Sequence, residues 1–192
     1  MEKATEELIK ETAKDIFFKQ GNLHATTQDI ADAAGVNRSL LNYYFRSRDL
    51  LFEQVYNEAV QSKRSQLDEA LDADLPFREK VERFIDVYLR DMRKYPFKEA
   101  FLISEINHKD FVLKNKKKSA KLISFLDEIA AEMKKGTIRT MDPMHFLVNL
   151  FSMLSYPIIM SPLYQQLFNL SHTRYENFID ERKDIILQSI FI

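Results

Sequence analysis

Residues 26–50 read TTQDIADAAGVNRSLLNYYFRSRDL and encode two short helices around a tight turn. Thr26 and Asp29 have the spacing of a capping box, which predicts the start of a helix. Gly35 suits the left-handed position that ends this helix, because glycine has no Cβ to clash there. Asn37 is a good N-cap for the helix that follows. Two short helices joined by a glycine-containing turn predict a helix-turn-helix unit.

The second helix of this unit has an outer face without acidic residues. Between Val36 and Arg48 there are three arginines and no carboxylate. Leu41, Tyr44 and Phe45 mark the opposite, inner face. Helix–glycine–helix corners occur in many helical proteins that do not bind DNA, but a merely solvated face usually carries charges of both signs. A face of hydrogen-bond donors and stacking groups favours contacts with phosphates and base edges in the major groove.

A set of positions near the amino terminus agrees in order and spacing with one known family. These positions are Ile9, Ala13, Ile16, Phe17, Gly21, Thr26-Thr27, Ile30-Ala31, Ala34-Gly35-Val36, Leu41, Tyr44-Phe45, Ser47 and Leu50-Leu51. On them, the first fifty residues resemble the DNA-binding domain of TetR-type transcriptional regulators. The family often has glycine and tyrosine where this chain has Ser39 and Asn42, which affects which operator is read. It commonly has lysine and glutamate at Arg48 and Asp49, where charge is conserved.

Candidate DNA contacts divide into two groups by the expected role. The residues expected to read base edges are Arg38, Ser39 and Tyr43. The residues expected to contact phosphates are Thr27, Asn42, Tyr44 and Arg48. Arg38 is the strongest single candidate, because a guanidinium can donate to O6 and N7 of guanine together.

Charge and composition restrict the possible functions. The chain has a net charge of −1, and its first fifty residues are slightly acidic, so DNA binding must depend on locally placed cations and helix N-termini. Three glycines and five prolines in 192 residues favour an all-α protein. The absence of cysteine excludes disulfides and thiolate sites. A polar start and no apolar run of about 18 residues predict a cytoplasmic protein without a membrane segment.

We expect two domains, a helix-turn-helix domain over residues 1–50 and an effector-binding and dimerisation domain over residues 51–192. The first helix is expected to bury Leu8, Ile9, Thr12, Ala13, Ile16 and Phe17. The other expected helices are a long one capped by Ser47 and ending near Leu71, Phe77–Lys94, Phe97–Asn107, Val112–Lys135, one that opens at Asp142-Pro143, and Tyr175–Phe191. Pro157 and Pro162 are expected to break Tyr156–Leu170 into short pieces.

The helix after Pro143 is apolar nearly all round, from Met144 to Leu154. A helix of this kind must be buried on every side, and a second subunit is a natural cover in so small a chain. The family resemblance implies the same arrangement, a homodimer in which the last two long helices of each copy pair. Two-fold symmetry presents two reading heads to a palindromic site on double-stranded DNA.

The predicted body is rich in phenylalanine, methionine and tyrosine, which suits an apolar pocket for an unidentified small-molecule effector. The same composition is found in ordinary helical cores. The polar residues within apolar segments that we expect to orient an effector are Tyr56, Tyr88, Asn107, His108, His145 and Tyr156. An effector that prefers one head spacing would shift the population between DNA-bound and free states.

The sequence gives little support for an enzyme. It has no His-Glu-x-x-His, Gly-x-Ser-x-Gly or phosphate-binding glycine loop, and its histidines lack metal-ligand spacing. We therefore expect no enzyme activity, no cofactor and no metal. The prediction is a ligand-responsive, DNA-binding transcriptional regulator, most often a repressor in the family it resembles. The alternative is a helical interaction protein whose head docks a protein partner.

Overall fold

The computed structural model describes residues 2–71, 74–106 and 120–192. Within these ranges the regular secondary structure is helical apart from one isolated bridge, which confirms the predicted all-α class. The helices are α1 (Glu2–Lys14, continued by a π-helical turn, Asp15–Lys19), α2 (Thr27–Ala34), α3 (Arg38–Phe45), α4 (Arg48–Leu71), α5 (Phe77–Lys94), α6 (Lys98–Ile106), α7 (Ala120–Lys135), α8 (Pro143–Ile159), α9 (Ser161–Leu167), α10 (His172–Asp180) and α11 (Arg182–Ile190).

The chain forms two compact units. The first comprises Met1–Arg64 and Met92–Phe111, and the second comprises Ser65–Asp91 and Val112–Ile192. The first unit thus contains α6 as well as the predicted head. The functional division at residue 50 stays a prediction.

The first unit is organised around α1 and its π-helical turn. The extra residue of a π turn lets Phe17 and Phe18 both face the core, although only Phe17 was expected there. Phe17 lies edge-on to Phe52, with ring centroids 5.4 Å apart, and Phe18 packs on Phe101 at 5.1 Å. Leu8 is 49% exposed, so its predicted burial is wrong.

Polar contacts also connect helix α6 to the rest of the first unit. The backbone N–H of Phe97 donates to the carbonyl of Phe18 across 3.0 Å. Lys63 of α4 forms an ion pair with Glu99, which is buried. These contacts tie the beginning of α6 to α1 and to α4.

The second unit has a core formed by α5, α7, α8, α10 and α11. Its buried side chains include Val81, Phe84, Ile85, Phe125, Ile129, Phe146, Leu147, Leu150, Leu154, Ile179 and Ile186. Asp142 accepts a hydrogen bond from Met144 and Pro143 occupies the first turn, so α8 opens as predicted. The predicted start of a helix at Val112 lies outside the described residues.

Two boundaries in the last third differ from the sequence-based expectation. Pro157 lies inside α8, which runs on to Ile159 instead of breaking there. The expected helix from Tyr175 to Phe191 is two helices, α10 and α11, which meet at Glu181. Pro162 does begin a separate short helix, α9.

Within the described ranges, no single helix has the length and apolar composition needed to cross a membrane. Helices α8 and α9, bent by 64° at their junction, meet the criterion only when taken together.

Candidate nucleic-acid interface

The first helix of the turn motif begins with the predicted capping box. The Thr26 hydroxyl accepts a hydrogen bond from the backbone N–H of Asp29 at 3.2 Å, and the Asp29 carboxylate accepts one from the Thr26 N–H at 2.8 Å. Hydrogen bonds from the backbone N–H and the hydroxyl of Thr26 lower the pKa of Asp29, and the backbone bond has the larger effect. The cap fixes the start of α2 and leaves Thr27, half-buried, in its first turn.

The turn between α2 and α3 is made by one glycine. Gly35 has φ 66° and ψ 28°, the left-handed conformation predicted for it, and no atom lies within 4 Å of the Cβ that a larger residue would add. Asn37 then caps α3, because its side-chain oxygen accepts a hydrogen bond from the Leu40 N–H at 2.8 Å. The predicted helix-turn-helix is confirmed.

Helix α3 separates a buried face from a solvent face. Leu41 and Phe45 are buried one turn apart. Since each residue advances by about 100° around a helix, Tyr43 projects to the side opposite Leu41 and is 71% exposed. Arg38, Ser39 and Asn42 are exposed as well. The structure thus brings the three predicted base-reading residues and Asn42 onto one accessible surface.

Tyr44 occupies the edge of this surface. It is half-buried, with its ring centroid 5.3 Å from that of Tyr43 and 6.3 Å from that of Phe45. Its contacts with neighbouring rings restrict its orientation. A hydroxyl at the border between core and solvent is suited to a fixed contact beside the exposed face.

Arg48 is turned inward, which the sequence did not predict. Its guanidinium donates through Nε to the carbonyl of Ala25 at 2.8 Å and through Nη2 to the carbonyl of Leu23. The same group lies over the rings of Phe17 and Phe52, at 5.8 and 5.2 Å from their centroids. This geometry does not support its assignment to a DNA phosphate; Arg48 joins the start of α4 to the loop before α2.

Arg46 was left out of the sequence-based set, although it is one of the three arginines in the acid-free segment. It is exposed and follows directly on α3, in a backbone conformation with φ 53° and ψ −36°. A positive φ in a residue other than glycine has no clear sequence signal. The arginine itself was visible in the sequence.

The residues predicted to orient an effector have different environments. Tyr56 belongs to the first unit and packs against Phe101, with ring centroids 5.8 Å apart. In the second unit, Tyr88 is buried and hydrogen-bonds to Ser155, whereas His145 and Tyr156 are exposed on α8. Asn107 and His108 lie outside the described residues. Their role at an effector site stays a prediction.

The second unit contains a cavity of about 430 Å³ that is open to solvent and has charged walls. Lys80, which is buried, donates to the Glu128 carboxylate at 2.7 and 2.8 Å across this cavity wall. Lys121, Ser124 and Asp74 also line it. Of the predicted effector residues that the structure describes, none lines this cavity. Over residues 2–71, 74–106 and 120–192, no group of three His, Asp or Glu residues is placed to bind a metal ion.

Comparison with known sequences identifies one family model and several similar proteins. Residues 9–55 match the model of the family described as bacterial regulatory proteins, tetR family. The chain is 26% identical over 143 residues to the HTH-type transcriptional regulator YhgD of Bacillus subtilis, covering 71% of this chain and 73% of that protein. It is 36% identical over 103 residues to the probable acrEF/envCD operon repressor of Escherichia coli, which covers 52% of this chain but only 46% of that repressor.

Solved structures share the fold over nearly the whole chain. The ketosteroid transcriptional regulator KstR2 of Mycobacterium tuberculosis aligns over 98% of this chain and 95% of its own, with a TM-score of 0.70 at 14% identity. A TetR family transcription regulator from Marinobacter aquaeolei aligns over 98% and 96%, with a TM-score of 0.64 at 12% identity. At these identities the similarity concerns the fold alone.

Proposed function

We propose that this chain, whose residues 9–55 match the tetR family model, is a TetR-family transcriptional regulator, and that it acts as a ligand-responsive repressor that binds a palindromic operator as a homodimer. The observation that carries the proposal is the solvent face of α3. It combines an arginine, a serine, an asparagine and a tyrosine with no acidic residue, on a helix whose start, turn and core are fixed by specific contacts. A DNA target also implies a cytoplasmic location.

The proposed contacts follow from the position of each side chain on the turn motif. Arg38, Ser39 and Tyr43 would meet base edges, because they occupy the exposed face of the helix that enters the major groove. Asn42 on the same face, Tyr44 at its edge and Thr27 in the first turn of α2 would contact phosphates and fix the register of the helix.

The apolar outer face of α8 supports a homodimer. Met144, Val148 and Tyr156 are 55%, 52% and 53% exposed and recur at multiples of four residues, with the small Ser152 between them. Residues at this spacing share one helix face. The later helices add exposed Phe178 to the apolar surface of this unit. We propose that a second copy covers this surface, as a two-fold axis requires the same patch on both partners.

We further propose that an effector binds within the second unit and shifts the population away from the DNA-binding state. The cavity beside Lys80 has the size of many small-molecule sites. Its two lysines and two carboxylates favour a ligand with polar or charged groups over a purely apolar one. An effector acts as a switch only through a difference in affinity for the two states. Release of bound operator by the small-molecule fraction of a cell extract would support this part, and no release by any fraction would count against it.

Selection from a pool of random duplexes tests the proposed DNA binding. The purified protein is mixed with the pool at physiological salt, and the retained duplexes are sequenced over several rounds. We expect an inverted repeat whose half-sites lie about one helical turn, or a multiple of it, apart. The matched control is the double variant Arg38→Ala, Tyr43→Ala, which keeps the caps and buried face of α3 and should lose the motif.

Two results would count against the proposal. Enrichment of a single half-site would argue against a dimeric reader. Failure to enrich any motif, together with salt-insensitive capture of a protein partner, would favour a head that docks protein instead of DNA.

A further inference from the structure

Arg46 combines a strained backbone with an exposed cation. With Asn169, it is one of two residues other than glycine that have a positive φ in the described parts of the chain. Its N–H donates to the Asn42 carbonyl at 2.9 Å and so closes the end of α3. Glycine is the residue that relieves strain at such a helix end. A strained backbone at an arginine suggests that its side chain has a function other than stabilising the fold.

The Arg46 side chain is free to meet a ligand. It is exposed, and among the described residues its guanidinium has no hydrogen bond or ion pair. It also follows directly on the face that carries Asn42 and Tyr43. The segment Val36–Arg48 contains no acid, and the first acid after it, Asp49, lies 3.4 Å from Nη1 of Arg48. The positive charge of Arg46 therefore lies at the edge of the proposed DNA-binding surface, beyond the carboxyl end of α3.

The contrast with Arg48, two residues later, separates two roles. Arg48 donates to the carbonyls of Leu23 and Ala25 and stacks on two aromatic rings of the core. Nε and Nη2 of this guanidinium are thus bonded to backbone carbonyls, and its Nη1 lies 3.4 Å from the Asp49 carboxylate. Of the two arginines that flank Ser47, only Arg46 offers its full set of donors to solvent.

We propose that Arg46 binds a DNA phosphate at the carboxyl end of the reading helix, and that Arg48 positions the loop before α2. The inference rests on the proposed DNA binding and adds a residue to that site. Phosphate contact by Arg46 is independent of sequence, so its loss weakens binding to all duplexes alike and reduces the salt dependence. Replacement by glycine removes the charge and also relaxes the backbone. A loss of DNA affinity in this variant can therefore not be attributed to a loss of stability.

The experiment measures binding of a random-sequence duplex against salt concentration, and melting temperature, for the whole chain and its variants. Arg46→Gln removes the cation and keeps the strain, Arg46→Gly removes both, and Arg46→Lys keeps a cation. Arg139→Gln, at an exposed arginine of the second unit, is the matched control for loss of one positive charge. Arg48→Met tests the positioning role.

We expect Arg46→Gln and Arg46→Gly to lower the slope of log affinity against log salt by about two per dimer, one phosphate for each subunit. Arg46→Gly should also melt a few degrees higher than Arg46→Gln. Arg46→Lys and Arg139→Gln should keep the slope. Arg48→Met should lower the melting temperature by several degrees and leave the slope unchanged while the protein is folded.

Three results would overturn the inference. An unchanged slope in Arg46→Gly, with the unaltered protein binding DNA normally, removes Arg46 from the interface and leaves the proposed function standing. A slope lowered by about two in Arg48→Met, at an unchanged melting temperature, returns the phosphate contact to Arg48. No salt-dependent binding of DNA by the unaltered protein overturns the proposed function as well.

Discussion

Arg182 donates a hydrogen bond from Nη2 to the backbone carbonyl of Met153 across 3.1 Å. This carbonyl lies four residues before Pro157, which has no N–H to donate, so α8 alone leaves it without its helical partner. Tyr175 of α10 in turn donates its hydroxyl to the carbonyl of Pro157. Arg182 thus replaces the N–H that the proline lacks, while Tyr175 pairs a carbonyl in the last turn of α8. With these contacts α8 continues to Ile159 with its proline inside.

Replacing Arg182 by methionine should therefore destabilise the second unit. Methionine keeps much of the apolar stem but leaves the Met153 carbonyl without its donor. An unpaired, partly buried carbonyl costs about 1–3 kcal/mol. Burial also lowers the pKa of the Arg182 guanidinium, and removing that desolvated charge offsets part of the loss. Urea unfolding at one fixed protein concentration measures the difference in free energy of unfolding.

The control for this prediction restores the missing amide. Pro157→Ala gives α8 an N–H that can pair with Met153, so Arg182→Met should cost less in the Pro157→Ala background than in the unaltered chain. An equal cost in both backgrounds would show that Arg182 does not act through this carbonyl.

Gly21 should tolerate alanine less well than Gly35. Both have a positive φ, 74° and 66°, so alanine at either costs about 1–2 kcal/mol for the backbone. At Gly21 the new Cβ would also lie 2.9 Å from Cδ1 of Phe97, whereas Gly35 has open space. We expect a larger loss of unfolding free energy for Gly21→Ala, measured by urea titration. The excess should vanish in a Phe97→Ala background, and its persistence there would contradict the proposed clash.

Glu58 should contribute a pH-dependent link between α4 and α1. Lys10 and Lys14 lie 2.7 and 3.0 Å from its carboxylate. Burial raises the pKa of this carboxyl, but hydrogen bonds and attraction from the two lysines outweigh burial, so the pKa is lowered below 4.5. A carboxyl with a depressed folded pKa stabilises the protein above its unfolded value and loses this effect as the pH falls through the folded value.

Glu58→Gln should accordingly lower the melting temperature at neutral pH and have much less effect well below pH 4.5. Glu79→Gln, at an exposed carboxylate of α5, is the control for loss of one negative charge. Melting curves of both variants and the unaltered protein at the two pH values measure the effect. The same deficit for Glu58→Gln at both pH values would contradict an electrostatic origin.

The helix-turn-helix could be predicted from sequence because its signals are local. The Thr26 and Asp29 capping box, the left-handed Gly35 and the Asn37 cap each act within four residues of chain. Such contacts form in the same way whatever surrounds them, so the residue pattern is enough to identify them.

The features that were missed depend on partners distant in sequence. Phe18 turns inward against Phe101, which is more than eighty residues away, and a π turn accommodates it. Arg48 faces inward because the carbonyls of the preceding loop and two phenylalanines receive it. Pro157 stays inside α8 because Arg182 supplies a donor to the Met153 carbonyl. No local pattern specifies these partners, so the sequence alone could not predict them.

Arg38→Ala should alter specificity more than overall affinity. If Arg38 donates to two acceptors of one guanine, its loss should cost about 1–3 kcal/mol at one base position in each half-site. Affinities for the selected operator, for operators changed at each position and for a random duplex measure this effect. The variant should lose discrimination at that position and keep its preferences elsewhere. Equal weakening on every duplex would assign Arg38 to a phosphate instead.

Val148→Glu should break the proposed homodimer. Val148 lies in the middle of the exposed α8 face, and a carboxylate there would be desolvated against the same residue patch of the second copy. The matched control is Leu8→Glu on α1, because Leu8 is exposed to nearly the same extent, 49% against 52%. Sedimentation over a range of concentrations should give a monomer for Val148→Glu and a dimer for Leu8→Glu.

The same two variants connect the interface to DNA binding. A monomer engages one half-site and loses the advantage of two linked heads, so Val148→Glu should bind the inverted repeat no more tightly than a single half-site. Leu8→Glu should keep the preference for the repeat. A Val148→Glu protein that remains a dimer and keeps that preference would move the two-fold contact away from this face of α8.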